Sequence, residues 1–130
     1  MTEILAVGAG GALGSIGRYL VNVLALKIWG SHFPYGTLIV NVVGSFTMGV
    51  LIEWITIVGA VGHMRFFLAV GGLGGFTTFS TFSLDVAALY ERGQLWWCAI
   101  YVLTSLTLSI AALFLGLYLV RQSISPHGGQ

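Results

Sequence analysis

Charge is the scarcest property of this chain. Nine of its 130 side chains are charged at neutral pH, five basic and four acidic. That is 7%, where a soluble globular chain carries about 25%. A soluble domain of this size has far more surface than nine charges can cover, so that class is excluded. The net charge of +1 leaves no electrostatic footprint for nucleic acid. Intrinsic disorder is excluded as well, because 57% of the residues are hydrophobic. The single cysteine, Cys98, cannot form an intramolecular disulfide and carries no information on redox compartment. His32, His63 and His127 fall in connectors or the tail without metal-ligand spacing, and no nucleophile elbow or phosphate loop is present. The chain therefore does not read as an enzyme. The opening Met1-Thr2-Glu3 has no basic region, so the first apolar run is expected to stay in the mature protein.

What the chain does have is length in apolar runs, with a mean hydropathy of +0.96. A membrane-spanning helix needs about 20 apolar residues, or about 30 Å. Four stretches qualify, at residues 4–26, 36–60, 66–90 and 95–120, with a polar tail at 123–130. Short connectors of the kind that join antiparallel helices separate them. Barrel strands would alternate polar and apolar residues, and these runs are unbroken. Trp29, Trp54, Trp96, Trp97, Tyr90 and Tyr118 lie near the expected span ends, where amphipathic aromatics prefer the interface. The expected fold is an all-α membrane protein with four transmembrane helices in one domain.

Glycine is abundant, 19 of 130. Gly10 and Gly14, Gly71 and Gly75, and Ser45 and Gly49 have the small-xxx-small spacing of closely packed helices. The cluster Gly71-Gly72-Leu73-Gly74-Gly75 weakens a helix by about 1 kcal/mol per glycine relative to alanine, and the hydroxyls Thr77 and Thr78 that follow favour N-caps. The third span is therefore expected to break in mid-membrane, one half-helix ending near Gly74 and another starting near Thr77. Non-helical backbone at that depth needs a protein or cavity environment, so the break itself marks a candidate site.

Four spans put both termini on one side. The N-terminal amine, Arg65 and Arg121 then face Lys27 and Arg92 across the membrane, with Arg18 joining the latter pair if it snorkels. This balance sets no orientation. Either a partner imposes one, or the chain inserts both ways and pairs with an inverted copy, which gives a small chain what larger transporters obtain from inverted repeats.

Polar groups at membrane depth are expensive and usually functional. Asn41 shares a helix face with Ser45 and Gly49; its amide is suited either to an anion or to a helix–helix hydrogen bond. Residues Thr77 to Ser83 hold five hydroxyls and two phenylalanines, Phe79 and Phe82, one turn apart. Some of the hydroxyls are expected to bond back to their own helix, while the positive edge of a phenylalanine ring can face an anion. Tyr101, Ser105 and Ser109 make a polar stripe along the fourth span. Arg18 is expected near a cavity mouth or paired with a carboxylate, with Glu53 a candidate counterpart, and Asp85 in a salt bridge near a span end.

The run Gly74-Gly75-Phe76-Thr77-Thr78-Phe79-Ser80-Thr81-Phe82-Ser83, with Gly36-Thr37-Leu38-Ile39-Val40-Asn41 and Gly17-Arg18 before it, closely resembles the Fluc/CrcB family of fluoride channels. The resemblance extends over essentially the whole chain; Phe76 stands where relatives usually have leucine. It implies an antiparallel, dual-topology homodimer in the bacterial inner membrane. Two fluoride pores and a central structural Na⁺ are implied with it. The implied pore residues are Asn41, Phe79, Phe82, Ser80, Thr81, Tyr101, Ser105 and Ser109. The implied Na⁺ ligands are backbone carbonyls of Gly74 and Thr77 from both copies, and Arg18 and Asp85 are implied as vestibule or structural charges. The partners are then fluoride, an inverted second copy and the lipid bilayer. A dual-topology small-molecule or cation exporter is the alternative, weakened by the absence of a carboxylate within the first span.

Overall fold

A computed structural model describes residues 1–59 and 62–124. Among these residues there is no strand, and four helical spans are long and apolar enough to cross a membrane. The first is α1 (Thr2–Trp29) and the second α2 (Tyr35–Val58). The third runs from His63 to Glu91 and is composite. It contains α3 (His63–Arg65), a wider π-helical stretch (Phe66–Leu73), α4 (Gly74–Phe76) and α5 (Phe79–Glu91). The fourth is α6 (Leu95–Ile124).

The helices run a few residues beyond the expected ends on most sides, because polar interfacial residues continue helical hydrogen bonding outside the apolar core. The second span is the exception. It stops at Val58, where Gly59 takes a left-handed conformation (φ 68°) and returns its N–H to the Ile55 carbonyl. Its expected last residue, Ala60, and most of the expected tail, including His127, lie outside the described residues.

The glycine cluster of the third span does not interrupt the helical path. Gly71 and Gly72 lie within the π-helical turns, and helical dihedrals continue through Gly74. Thr77 is the first residue to leave them, with φ −79° and ψ 157°, and Thr78 follows with φ −156° and ψ 122°. Helix resumes at Phe79. Both residues have strand-like backbone between two helical segments.

Two close helix pairs organise the packing: α1 lies along the π-helical stretch and α4, and α2 lies along α6. Both use glycine in the same way. A Cβ added to Gly14 would collide with the Gly72 carbonyl, and one added to Gly75 would lie 2.6 Å from the Gly11 carbonyl oxygen. Backbone therefore packs on backbone, as the spacing of Gly10, Gly14, Gly71 and Gly75 implied. Gly49 meets the Leu113 carbonyl and Gly116 the Phe46 carbonyl in the same manner. Behind α5 and α6, Phe82, Leu89 and Tyr101 form a buried cluster bordered by Phe33, Leu38, Val86, Cys98 and Val102.

Gly14→Val should destabilise the protein by about 1–3 kcal/mol, since neither backbone can withdraw without separating α1 from the third span. Gly8, where an added Cβ meets nothing within 4 Å, should accept alanine with a change within about 0.5 kcal/mol. Reversible denaturation in mixed micelles distinguishes the two.

Candidate functional site

The two extended residues form the centre of the site. Thr77 N–H still donates to the Leu73 carbonyl at 3.0 Å, but the N–H and C=O of Thr78 have no helical partner, and in a membrane no water replaces them. Asn41 on α2 supplies both. Thr78 N–H donates to Asn41 Oδ1 at 2.8 Å, and Asn41 Nδ2 donates to the Thr78 carbonyl at 3.0 Å. The pattern is that of two paired strand residues, with a side-chain amide in place of the second strand.

The threonine side chains complete the junction. Thr78 is the N-cap of α5: its Oγ1 accepts from Thr81 N–H at 3.1 Å. The same hydroxyl donates to Thr81 Oγ1 at 3.1 Å and lies 3.2 Å from Ser80 Oγ. Thr77 Oγ1 donates to the Leu73 carbonyl, and Ser83 Oγ donates to the Phe79 carbonyl. Of the five hydroxyls from Thr77 to Ser83, these two are satisfied by backbone one turn earlier. The other three form one network on Thr78.

Around this junction lies an open groove of about 390 Å³ lined by Asn41, Gly74, Thr77, Thr78, Phe79, Phe82, Ser105, Leu106 and Ser109. It unites seven of the twelve candidate residues. The Phe79 and Phe82 rings have centroids 5.5 Å apart; Phe82 is buried at 7% exposure and Phe79 is 74% exposed. Ser105 is buried, and Ser109 Oγ is shielded from solvent with no hydrogen-bond partner. Neither lysine nor arginine lines the groove.

The remaining candidates lie elsewhere. Tyr101 is fully buried behind the groove rather than in its wall. Its ring packs 5.2 Å from Phe82, and its hydroxyl donates to Asp85 Oδ2 at 3.1 Å. Asp85 is thus held by a tyrosine, not by the expected salt bridge. With Thr81 it lines a second cavity of about 240 Å³, which also includes Asn22, His32, Thr37 and Arg92. Ser80 reaches the groove only through Thr78. Arg18 Nη1 donates to the Thr77 carbonyl across a long 3.4 Å. Glu53 is not its counterpart: that carboxylate accepts from Arg121 Nη2 at 2.9 Å.

Phe76 has its space provided by neighbours. A Cβ on Gly17 would meet its ring at 3.5 Å, and one on Gly44 at 3.2 Å. Glycines on α1 and α2 therefore make room for the ring beside the junction.

Residues 5–117 match the family described as "CrcB-like protein, Camphor Resistance (CrcB)". The chain is 53% identical over 122 residues to the fluoride-specific ion channel FluC of Agrobacterium fabrum, covering 93% of this chain and 98% of that protein. It is 53% identical over 125 residues to FluC of Rhizobium meliloti, covering 95% and 100%. To FluC of a Caulobacter species it is 48% identical over 127 residues, covering 96% and 99%.

Thr78→Val removes the cap of α5 and the centre of the hydroxyl network, and should cost about 0.5–2 kcal/mol. Ser83→Ala removes a hydroxyl engaged only with its own helix and should change stability by less than about 0.5 kcal/mol. Chemical denaturation of the two variants in detergent checks the contrast.

Proposed function

The chain belongs to the CrcB-like family, and from that premise we propose that it is a passive, fluoride-selective channel that lets fluoride leave the cytoplasm and so lowers its toxicity. The relatives' name, fluoride-specific ion channel, supports this class of activity and describes a channel rather than an enzyme. The observation that carries the reading is that Asn41, Phe79, Phe82, Ser105 and Ser109 line one groove with neither lysine nor arginine in its wall. Fluoride is small and holds its water tightly, so a pore must offer replacement donors. Amide and hydroxyl groups supply them, and ring edges add positive potential. A fixed ammonium or guanidinium in the wall would bind the ion too tightly to release it.

The helix junction adds a second element. The segment ending at Phe76 directs carbonyl oxygens at the junction, and α5 directs N–H groups at it from the other side. The first polarity suits a cation and the second an anion. Gly74 and Thr77 line the groove, and backbone carbonyls are hard oxygen donors of a type that fits Na⁺. Thr78 N–H, the usual helical partner of the Gly74 carbonyl, is taken by Asn41. Held by the Gly74 and Thr77 carbonyls, Na⁺ would supply fixed positive potential at the junction. In this reading the third span is a broken helix, and Arg18 reinforces the positive side of the junction through the Thr77 carbonyl.

The second copy is this same chain, inverted in the inner membrane. Three features support it: the positive charges balance across the membrane, Phe79 is left exposed beside the groove, and the groove is open on one side and needs another wall. Each antiparallel dimer then has two pores.

Phe79→Ile and Phe82→Ile should each lower fluoride efflux from liposomes by at least about tenfold, as each removes a ring edge and leaves an apolar side chain. The dimer should remain intact on size exclusion, and unchanged flux would remove the rings from the pathway. Cysteines introduced at the C-terminal tail of a Cys98→Ser background should label from both membrane faces in intact cells; labelling from one face alone would contradict inversion.

A further inference from the structure

The bidentate hold of Asn41 on Thr78 reaches one atom further than its own two hydrogen bonds. Thr78 N–H and the Thr77 carbonyl belong to the same peptide unit, which is planar and trans, so the two point in opposite directions. Gripping the N–H at 2.8 Å therefore aims the Thr77 oxygen away from Asn41. On that opposite side the oxygen is met by the Arg18 guanidinium. The other hydrogen bond, from Nδ2 to the Thr78 carbonyl, stops rotation on the far side of Thr78. Thr78 has the extended dihedrals usual for an N-cap residue, and the amide holds the peptide that leads into it in one orientation. Without the amide, two unpaired backbone groups in a low-dielectric setting would favour rotating the peptide to find other partners.

We propose that Asn41 is a positioning residue for the cation site: its Oδ1 sets the direction of the Thr77 carbonyl, while the second N–H of its Nδ2 is the only part of the amide left for an ion in the groove. The inference rests on the sodium reading above and extends it. It makes one side chain serve both sites, so the occupancy of the carbonyl site and the shape of the pore wall are coupled through a single amide. It also separates two functions by atom. Oδ1 positions backbone, and Nδ2 both secures backbone and faces the groove.

The test compares Asn41→Ala, Asn41→Asp and Ser83→Ala in purified protein. The thermal-unfolding midpoint is titrated with NaCl, using N-methylglucamine chloride to hold ionic strength constant. Amide hydrogen exchange is followed at Thr78. Wild type and Ser83→Ala should share one half-saturating Na⁺ concentration and a protected Thr78 amide. Asn41→Ala should need at least about tenfold more Na⁺, as expected for the loss of one buried hydrogen-bond partner, and should exchange the Thr78 amide rapidly. Asn41→Asp keeps the acceptor, so Thr78 should remain protected and the Na⁺ requirement should not rise. Fluoride efflux should nonetheless fall, because the N–H facing the groove is gone and a negative charge replaces it. An Asn41→Ala protein with wild-type Na⁺ dependence and a protected Thr78 amide overturns the proposal. If Asn41→Ala does not fold, a rapidly exchanging Thr78 amide in folded Asn41→Asp overturns it. A wild type indifferent to Na⁺, with Thr78 exposed only in Asn41→Ala, overturns the sodium reading and its coupling to Asn41 but leaves Asn41 as the residue that holds the junction.

Discussion

The central constraint is that a peptide group inside a membrane must have a partner. At Thr77 and Thr78 the chain leaves the helix; Thr77 N–H still reaches the Leu73 carbonyl, but the N–H and C=O of Thr78 find no partner in either helical segment. The Asn41 amide, placed by α2 at the depth of the junction, satisfies both backbone groups of Thr78. Most other features of the site follow. The Thr78 side chain is free to cap α5 because its backbone is already held. The Thr77 carbonyl is directed to one side, where Arg18 approaches it.

Holding the junction in place also requires that its flanking segments do not move, and backbone-to-backbone packing provides this. Gly10, Gly14, Gly71 and Gly75 bring α1 against the third span, and Gly17 and Gly44 admit the Phe76 ring next to Thr77. In lipid there is little hydrophobic gain in bringing helices together, so close contact of small residues is a principal source of attraction. The same glycines that reduce helix propensity thus increase rigidity once the spans are assembled. On the other side, the buried Phe82, Leu89 and Tyr101 anchor α5 to α6, and the Tyr101 hydroxyl holds Asp85 away from the groove.

The four spans, the glycine spacings and most groove residues were legible in the sequence, because hydropathy runs and i, i+4 spacing are local signals. The location of the backbone irregularity was legible only to within a few residues. Four glycines in five suggested an end near Gly74, yet packing against α1 keeps Gly71 and Gly72 in wide helical turns and moves the departure to Thr77. Polar pairings were the least legible feature. Asn41 stood out as an amide at depth, but nothing in its spacing identified Thr78, 37 residues away, as its partner. Glu53 looked available to Arg18 by charge alone, whereas helix packing gives it to Arg121. Tyr101, Ser105 and Ser109 looked like one stripe, and only the two serines line the groove; the longer tyrosine side chain reaches back into the core instead.

Scarcity of charge, the first property of the sequence, acquires a mechanistic meaning here. On the proposed reading, a path walled by an amide, hydroxyls and ring edges strips water from a small anion and still releases it. The most direct measurement is the zero-current potential of the purified protein in a planar bilayer under a tenfold fluoride gradient with symmetrical chloride. A passive, fluoride-selective path predicts reversal near the fluoride equilibrium potential, about 59 mV for a monovalent ion, unchanged when a pH gradient is added. A reversal potential near zero, or one that follows the pH gradient, would contradict it.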